Sequence, residues 1–131
     1  MVRHGKGHLA PPQASPDWPR YVQWLHFAEG SAMHQLVLDL FLSGGFGGGA
    51  PSAAAPRMRE ASLELLRYLD RELATRPYFA GAEFSAADVM MTFPVRMAAG
   101  FKLLDGMTHL QAYLKRIEAR PAYQRAMKLA E

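Results

Sequence analysis

Ser85 and Asp88 place a hydroxyl and a carboxylate three residues apart, within the segment EFSAADVM at residues 83–90. A serine nucleophile needs a base beside it and a third group that orients this base. No histidine lies near Ser85 in the sequence, so only a distant histidine that folds against it would supply the base. We therefore predict no catalytic residue in this chain, with that one alternative left open.

The same pair of residues fits the start of a helix. Ser85 stands directly before an apolar run of helical period, and Asp88 would be the third helical residue. Each side chain can then bond the backbone amide of the other, which is a capping box. Phe84 and Val89 have the spacing of a hydrophobic staple across this start, and Asp88 puts a negative charge at the positive end of the helix dipole. We predict that Ser85 and Asp88 form a structural cap.

The histidines give no pattern that is typical of a metal site. They are His4, His8, His26, His34 and His109. His4 and His8 have the spacing of two ligands on a helix, but two glycines around them disfavour a helix there. His26 and His34 lie a little over two helical turns apart, too far to share one ion directly. We predict no metal site and no cofactor held by this chain itself.

A glycine-rich stretch, SGGFGGGAPSAAAP, occupies residues 43–56. Residues 45–50 contain the letters of a dinucleotide-binding fingerprint. That motif follows a strand and opens a helix, whereas this stretch follows a helical pattern. Glycine, serine, alanine and proline at this density favour a flexible linker between helices.

The composition is that of an ordinary globular protein: 50% of residues are apolar and 21% are charged. The absence of cysteine excludes disulfides and thiolate metal ligands in this chain, and agrees with a cytoplasmic location. No apolar run approaches the roughly 20 residues that span a bilayer, and the first residues do not resemble a secretory signal. The net charge of +3 is spread along the chain, so we predict neither a nucleic-acid nor a membrane partner.

Helical periodicity dominates the sequence and predicts an all-α, five-helix bundle. The predicted helices are Pro16–Leu42, Arg57–Thr75, Ala86–Ala99, one that starts at Thr108 and a short one that starts at Pro121. Thr108 and Gln111 have capping-box spacing. Five charged residues of the second helix are expected to lie mostly on its solvent side: Arg59, Glu60, Arg67, Asp70 and Arg71.

Two predicted helices are unusually apolar. The first carries two apolar stripes, which predicts burial on two sides. One stripe is Trp18, Val22, Leu25, Ala32, Leu36 and Leu40, and the other is Tyr21, Trp24, Phe27, Val37, Leu38 and Phe41. The third helix, from Ala86, is apolar on nearly every face apart from Arg96, which predicts the central helix of the core.

Three segments together resemble the C-terminal helical domain of glutathione S-transferases. Tyr78-Phe79-Ala80-Gly81, followed by Phe84–Met91 and Phe93-Pro94, is similar to the central signature of that domain. Trp24–Gly30 resembles its first long helix, and Arg120–Tyr123 resembles the Arg-Pro-aromatic motif that opens a late helix. The resemblance runs from about Leu9 to Ala130.

The resemblance implies a division of the chain, and it leaves two possibilities open: a fragment of a full transferase, or a natural single-domain relative. Residues 1–14 are expected to be the tail and linker of an N-terminal thioredoxin-like domain, and residues 15–131 the helical domain. In this family the thioredoxin-like domain supplies most glutathione contacts and the residue that activates the thiol. Without that domain, we expect the chain to be inactive, with glutathione a co-substrate only when the domain is supplied.

The family also implies a role for the first helix. Phe27, Gly30 and Met33 would form the hydrophobic wall of the pocket for small hydrophobic electrophiles. The same helix would face a thioredoxin-like domain and a second subunit in a homodimer. Beta-class relatives carry a histidine where this chain has Met33, so no acid–base role is expected there.

Two alternatives stay open. Related domains serve as non-catalytic assembly modules in translation factors and tRNA synthetase assemblies, where an apolar stripe docks a protein. An independent helical ligand-binding protein is the other alternative, which would need an apolar pocket between the helices.

Overall fold

The computed structural model describes residues 7–45 and 49–129, and every regular element in them is a helix, which confirms the predicted all-α class. The elements are α1 (Trp18–Phe27), a π-helical segment (Ala28–Met33), α2 (His34–Leu42), α3 (Ala55–Glu72), α4 (Ala86–Gly100), α5 (Thr108–Glu118) and α6 (Pro121–Lys128). Because α1, the π segment and α2 follow one another without a break, these residues form the five helices that periodicity predicts. None of them is long and apolar enough to cross a bilayer.

Parts of two predicted segments lie outside the described residues. Residues 1–6 belong to the expected N-terminal tail, and residues 46–48 belong to the glycine-rich linker. Within the described part of that linker, Gly44 has a φ of +77° and an added Cβ would meet the Gly49 carbonyl oxygen at 2.3 Å. The turn after α2 therefore requires glycine at position 44.

The first helix buries one stripe, which corrects the prediction of two. The buried apolar residues are Tyr21, Trp24, Ala28, Ala32, Leu36 and Leu40. Val37 and Phe41, from the second predicted stripe, are 40% and 64% exposed. The π segment explains the change, because its wider turn alters the rotation between the residues before it and those after it.

Helix α4 lies at the centre of the bundle and packs against α1, the π segment and α5. Its inner face buries Met91, Pro94 and Val95. The prediction that this helix is central to the core agrees with these contacts, whereas its apolar outer side is uncovered: Val89 and Phe93 are 53% and 64% exposed. The described residues thus leave an apolar side of the central helix open.

An aromatic cluster ties α1 to the rest of the core. The Trp24 ring centroid lies 4.8 Å from that of Phe79, 5.1 Å from Phe27 and 5.8 Å from Tyr68. Trp24 is 1% exposed, and its indole N–H has no hydrogen-bond partner among the residues described. The position of this indole is therefore set by packing and ring–ring contacts.

An ion pair with a buried carboxylate joins α2 to α3. Asp39 has no exposed surface, and Arg59 Nε donates to both of its carboxylate oxygens at 2.7 and 3.0 Å. The Ser43 hydroxyl donates to the same carboxylate at 3.2 Å. Arg59 was expected mostly on the solvent side and its side chain is 35% exposed, but its guanidinium also reaches inwards, because a buried carboxylate needs a charged or hydrogen-bonding partner.

The start of α5 is capped from another helix. Asp70 on α3 accepts a hydrogen bond from the Leu110 amide at 2.8 Å, and this amide is one of the free donors at the start of α5. The Gln111 side chain instead donates to the Leu104 carbonyl at 2.8 Å. Both predictions are therefore wrong: Thr108 and Gln111 do not form a capping box, and Asp70 is not merely a solvent-facing residue.

Candidate functional site

Ser85 and Asp88 meet at the N-terminus of α4, both buried. The Ser85 amide donates to Asp88 Oδ2 at 2.9 Å, and the Ser85 hydroxyl donates to the same oxygen at 3.0 Å. The Ser85 side chain also lies against the Asp88 amide, so the two halves of a capping box are present. Ser85 has extended backbone geometry, with φ −135° and ψ 176°, as an N-cap residue requires.

Asp88 makes further contacts beyond its own helix. Its Oδ1 accepts from the Phe79 amide at 2.9 Å and from the Tyr113 hydroxyl at 3.4 Å. The Asp88 carbonyl accepts from Tyr113 at 3.2 Å and from the Thr92 hydroxyl at 2.6 Å. One residue thus joins α4 to the preceding turn and to α5.

Burial shifts the pKa of both ionisable groups in this network. Burial raises the pKa of Asp88 above its ordinary value, although the bonds from Phe79, Ser85 and Tyr113 oppose the rise. The pKa of Tyr113 lies well above its ordinary value, first because of burial and then because of the adjacent Asp88. A neutral phenol that donates to a buried carboxyl has a structural role in this position.

The arrangement around Ser85 lacks a base that would activate a nucleophile. Its hydroxyl donates to Asp88, and Asp88 is already occupied by backbone donors. Within residues 7–45 and 49–129, the four histidines are all exposed, and no group of three histidine or acidic side chains could hold a metal ion. His4 lies outside the described residues.

The three predicted wall residues lie on consecutive turns of the first helix, but they have different surroundings. Phe27 is half-buried and packs on Trp24 and Tyr68. Gly30 is exposed in the π segment, and a Cβ added there would meet nothing within 4 Å. Met33 is half-buried and turns into an open groove along α2.

This groove, which we call the α2 groove, has a volume of about 550 Å³. It is lined by Glu29, Met33, His34, Val37, Leu38 and Phe41. Phe27 and Gly30 do not line it, so the structure brings only Met33 of the three wall residues to this surface. The exposed Val37 and Phe41 make it an apolar patch of the kind that marks ligand or protein contacts.

Sequence reasoning missed Tyr113, Phe79 and Asp70 as partners of helix starts. Tyr113 lies 25 residues from Asp88, and Asp70 lies 40 residues from Leu110. No local spacing links such pairs. The one available signal was the polar hydroxyl of Tyr113 within the core stripe of α5, because a buried phenol needs a hydrogen-bond partner.

Comparison with known proteins decides the family. The family model described as "Glutathione S-transferase, C-terminal domain" matches residues 32–121. The chain belongs to this family. The resemblance stated from the sequence motifs is thereby confirmed.

The glutathione S-transferase relatives are roughly twice as long as this chain. Glutathione S-transferase 3 of Schizosaccharomyces pombe is 29% identical over 127 residues, which cover 86% of this chain and 51% of the yeast protein. An uncharacterized GST-like protein of Streptococcus mutans is 30% identical over 140 residues, covering 93% of this chain and 49% of that protein. The chain therefore spans about half the length of the relatives it matches.

A solved glutathione transferase supports the assignment in three dimensions. The crystal structure of the enzyme from Pseudomonas putida is similar with a TM-score of 0.79 and 25% identity, over 95% of this chain and 56% of that chain. It was solved with one glutathione disulfide bound per subunit. The helical arrangement described above is thus one that occurs within a glutathione-binding transferase.

Proposed function

We propose that this chain is the helical half of an enzyme that conjugates glutathione to small hydrophobic electrophiles. In this role its first helix supplies an apolar wall for the electrophile, through Phe27, Gly30 and Met33, and part of a dimer interface along α2. The observation that carries the proposal is the α2 groove, where Met33 lies beside the exposed Val37 and Phe41.

The chemistry requires a second component. In the conjugation, the glutathione thiolate forms a bond to carbon, and a leaving group such as chloride departs with its electron pair. The described residues contain no strand and no buried base beside a nucleophile, so they supply binding surface and not thiol activation. The glutathione disulfide in the Pseudomonas putida relative supports glutathione as the co-substrate once a thioredoxin-like domain is present.

A non-catalytic assembly module is the second candidate. Phe41, at 64% exposure, is the observation that favours it, because a large exposed aromatic ring on a helix suits a protein contact. In that case the α2 groove binds a protein and the chain has no electrophile pocket.

Binding of 1-chloro-2,4-dinitrobenzene separates these candidates. Since the chain has no cysteine, the compound can be titrated without arylating a thiol, and methionine methyl signals in NMR report binding. We expect Met33→Asp to weaken binding about tenfold, the ratio that roughly 1.4 kcal/mol produces. We also expect Gly30→Ala to weaken binding, although it raises stability by about 0.5–1 kcal/mol.

Gly100→Ala is the matched control, because Gly100 is also helical and also has no atom within 4 Å of an added Cβ. It should leave binding unchanged. Met33→Asp without effect on binding would exclude the wall. The chain alone should not accelerate the reaction of this compound with glutathione, and clear turnover would exclude the proposed division of roles.

A further inference from the structure

The two polar side chains that line the α2 groove, those of Glu29 and His34, lie towards one end of it. The remaining lining residues are apolar and continue along α2 to Phe41, about three helical turns beyond Glu29. A ligand that lies along the groove therefore meets a polar end beside Met33 and an apolar end towards Phe41.

The π segment brings the two polar residues to the same surface. Glu29 and His34 are five residues apart, and in a regular α-helix this separation turns two side chains about 140° away from each other. The wider turn of the π-helical segment Ala28–Met33 reduces this angle, and both side chains line one groove. The polar end of the groove is thus a consequence of the π segment.

The groove is negatively charged, although the chain as a whole has a net charge of +3. Glu29 is the one acidic residue in its lining, and no arginine or lysine lines it. Glu29 is exposed and forms no ion pair within residues 7–45 and 49–129. Its carboxylate is therefore available to a cationic group on a ligand.

We infer that the α2 groove prefers electrophiles that carry a cationic group, such as an aromatic ring with a protonated amine. The ring would lie against Met33 and Val37, and the ammonium group would meet the Glu29 carboxylate. This inference rests on the proposed conjugating function and names the substrate class of that site. Glu29 contacts the part of the electrophile that does not react, so it determines specificity.

Two compounds of the same shape test this preference on the whole chain. 3-Nitrobenzylamine is protonated at neutral pH, whereas 3-nitrobenzyl alcohol is neutral, and neither has a leaving group, so affinity is measured without reaction. Exposed ion pairs contribute little, and we expect the amine to bind about threefold more tightly. Methionine methyl signals in NMR report binding, and added salt should reduce the preference, because it screens exposed charges.

A pair of glutamate variants assigns the preference to one side chain. Glu29→Gln should bring the two affinities together by weakening the binding of the amine. Glu64→Gln is the matched control, since it removes the same charge from an exposed position of α3 that does not line the groove. The preference should persist in this control, which separates the effect of Glu29 from that of net charge.

The outcomes separate this inference from the proposed function. Equal affinity of the wild type for both compounds, a preference that survives Glu29→Gln, or one that Glu64→Gln also removes would each overturn the inference and leave the conjugating wall standing. If neither compound binds, the proposed wall fails and the inference fails with it.

Discussion

Asp88 is a single carboxylate that stabilises three neighbouring parts of the molecule. Its two oxygens accept from Ser85 at the start of α4, from Phe79 in the preceding turn and from Tyr113 on α5. The group has no exposed surface, so water cannot replace a lost bond. The pair that first suggested catalysis is therefore best understood as a buried junction, of which the helix cap is one part.

Replacement of Asp88 by asparagine tests this junction at the residue scale. Every group that contacts the Asp88 carboxylate donates a hydrogen bond to it. The amide NH₂ of asparagine is also a donor, so at one of the two oxygen positions it would face another donor. We expect the free energy of unfolding to fall by about 2–3 kcal/mol, the cost of a buried unsatisfied donor near a lost charged bond. Urea titration measures it, and Asp105→Asn, at an exposed site, should change it by less than about 0.5 kcal/mol.

The pH dependence of this difference has a defined sign. Because burial raises the pKa of Asp88 in the folded state, the folded protein holds this proton to higher pH than the unfolded chain does. The contribution of Asp88 titration to stability is therefore complete below the unfolded pKa and is lost as pH rises through the folded pKa. The wild type should therefore exceed Asp88→Asn in free energy of unfolding by a margin that becomes smaller as pH rises above about 4. A margin that becomes larger over this range would contradict a raised pKa.

At the scale of elements, periodicity predicted the helices and local spacing predicted the cap of α4, but not the cap of α5. The starts of α4, α5 and α6, at Ala86, Thr108 and Pro121, lie where the sequence placed them. The cap of α5 could not be predicted, because the acceptor Asp70 is 40 residues away from the donor. The π segment was also missed: residues 28–33 contain Gly30 and Ser31, which are poorer helix formers than alanine, but nothing in their spacing indicates a wider turn, and the segment packs on α4.

A pair of substitutions distinguishes the long-range cap of α5 from a local one. Asp70→Asn keeps the shape of the acceptor but removes its charge at the positive end of α5, and Asp70→Ala removes the acceptor itself. We expect Asp70→Ala to lower the free energy of unfolding by about 1 kcal/mol, with a smaller loss for Asp70→Asn. Thr108→Ala should cost less than about 0.5 kcal/mol in the same urea titrations, and a larger loss for Thr108→Ala than for Asp70→Ala would restore the local capping box.

At the scale of the whole molecule, the described residues leave an apolar stripe of α2 and an apolar side of α4 open. The sequence predicted the excess of apolar residues on the first helix, but it could not decide which of them would be covered. Val37 and Phe41 follow the same spacing rules as Leu36 and Leu40, and only the second pair is buried. Whether an apolar side chain is exposed depends on which other helix packs against its face. Tertiary packing decides this, and the local sequence pattern does not.

The exposed stripe of α2 predicts self-association. We expect the chain to form dimers in sedimentation velocity experiments at micromolar concentrations, and Phe41→Asp to yield monomers, because a carboxylate buried without a partner opposes contact. Phe101→Asp is the control, as Phe101 is also exposed but does not line the α2 groove. A monomeric wild type, or dissociation caused equally by both variants, would exclude α2 as the dimer surface.

The surroundings of Trp24 give the protein an internal spectroscopic reporter. The chain has two tryptophans, of which Trp18 is half-buried and Trp24 is enclosed by aromatic rings with its N–H unbonded to the described residues. An indole that is shielded from water emits at shorter wavelength than one in solvent, so the folded chain should have a blue-shifted component that disappears on unfolding. The integrity of the core between α1, α3 and the Phe79 turn can thus be followed by intrinsic fluorescence, without any label.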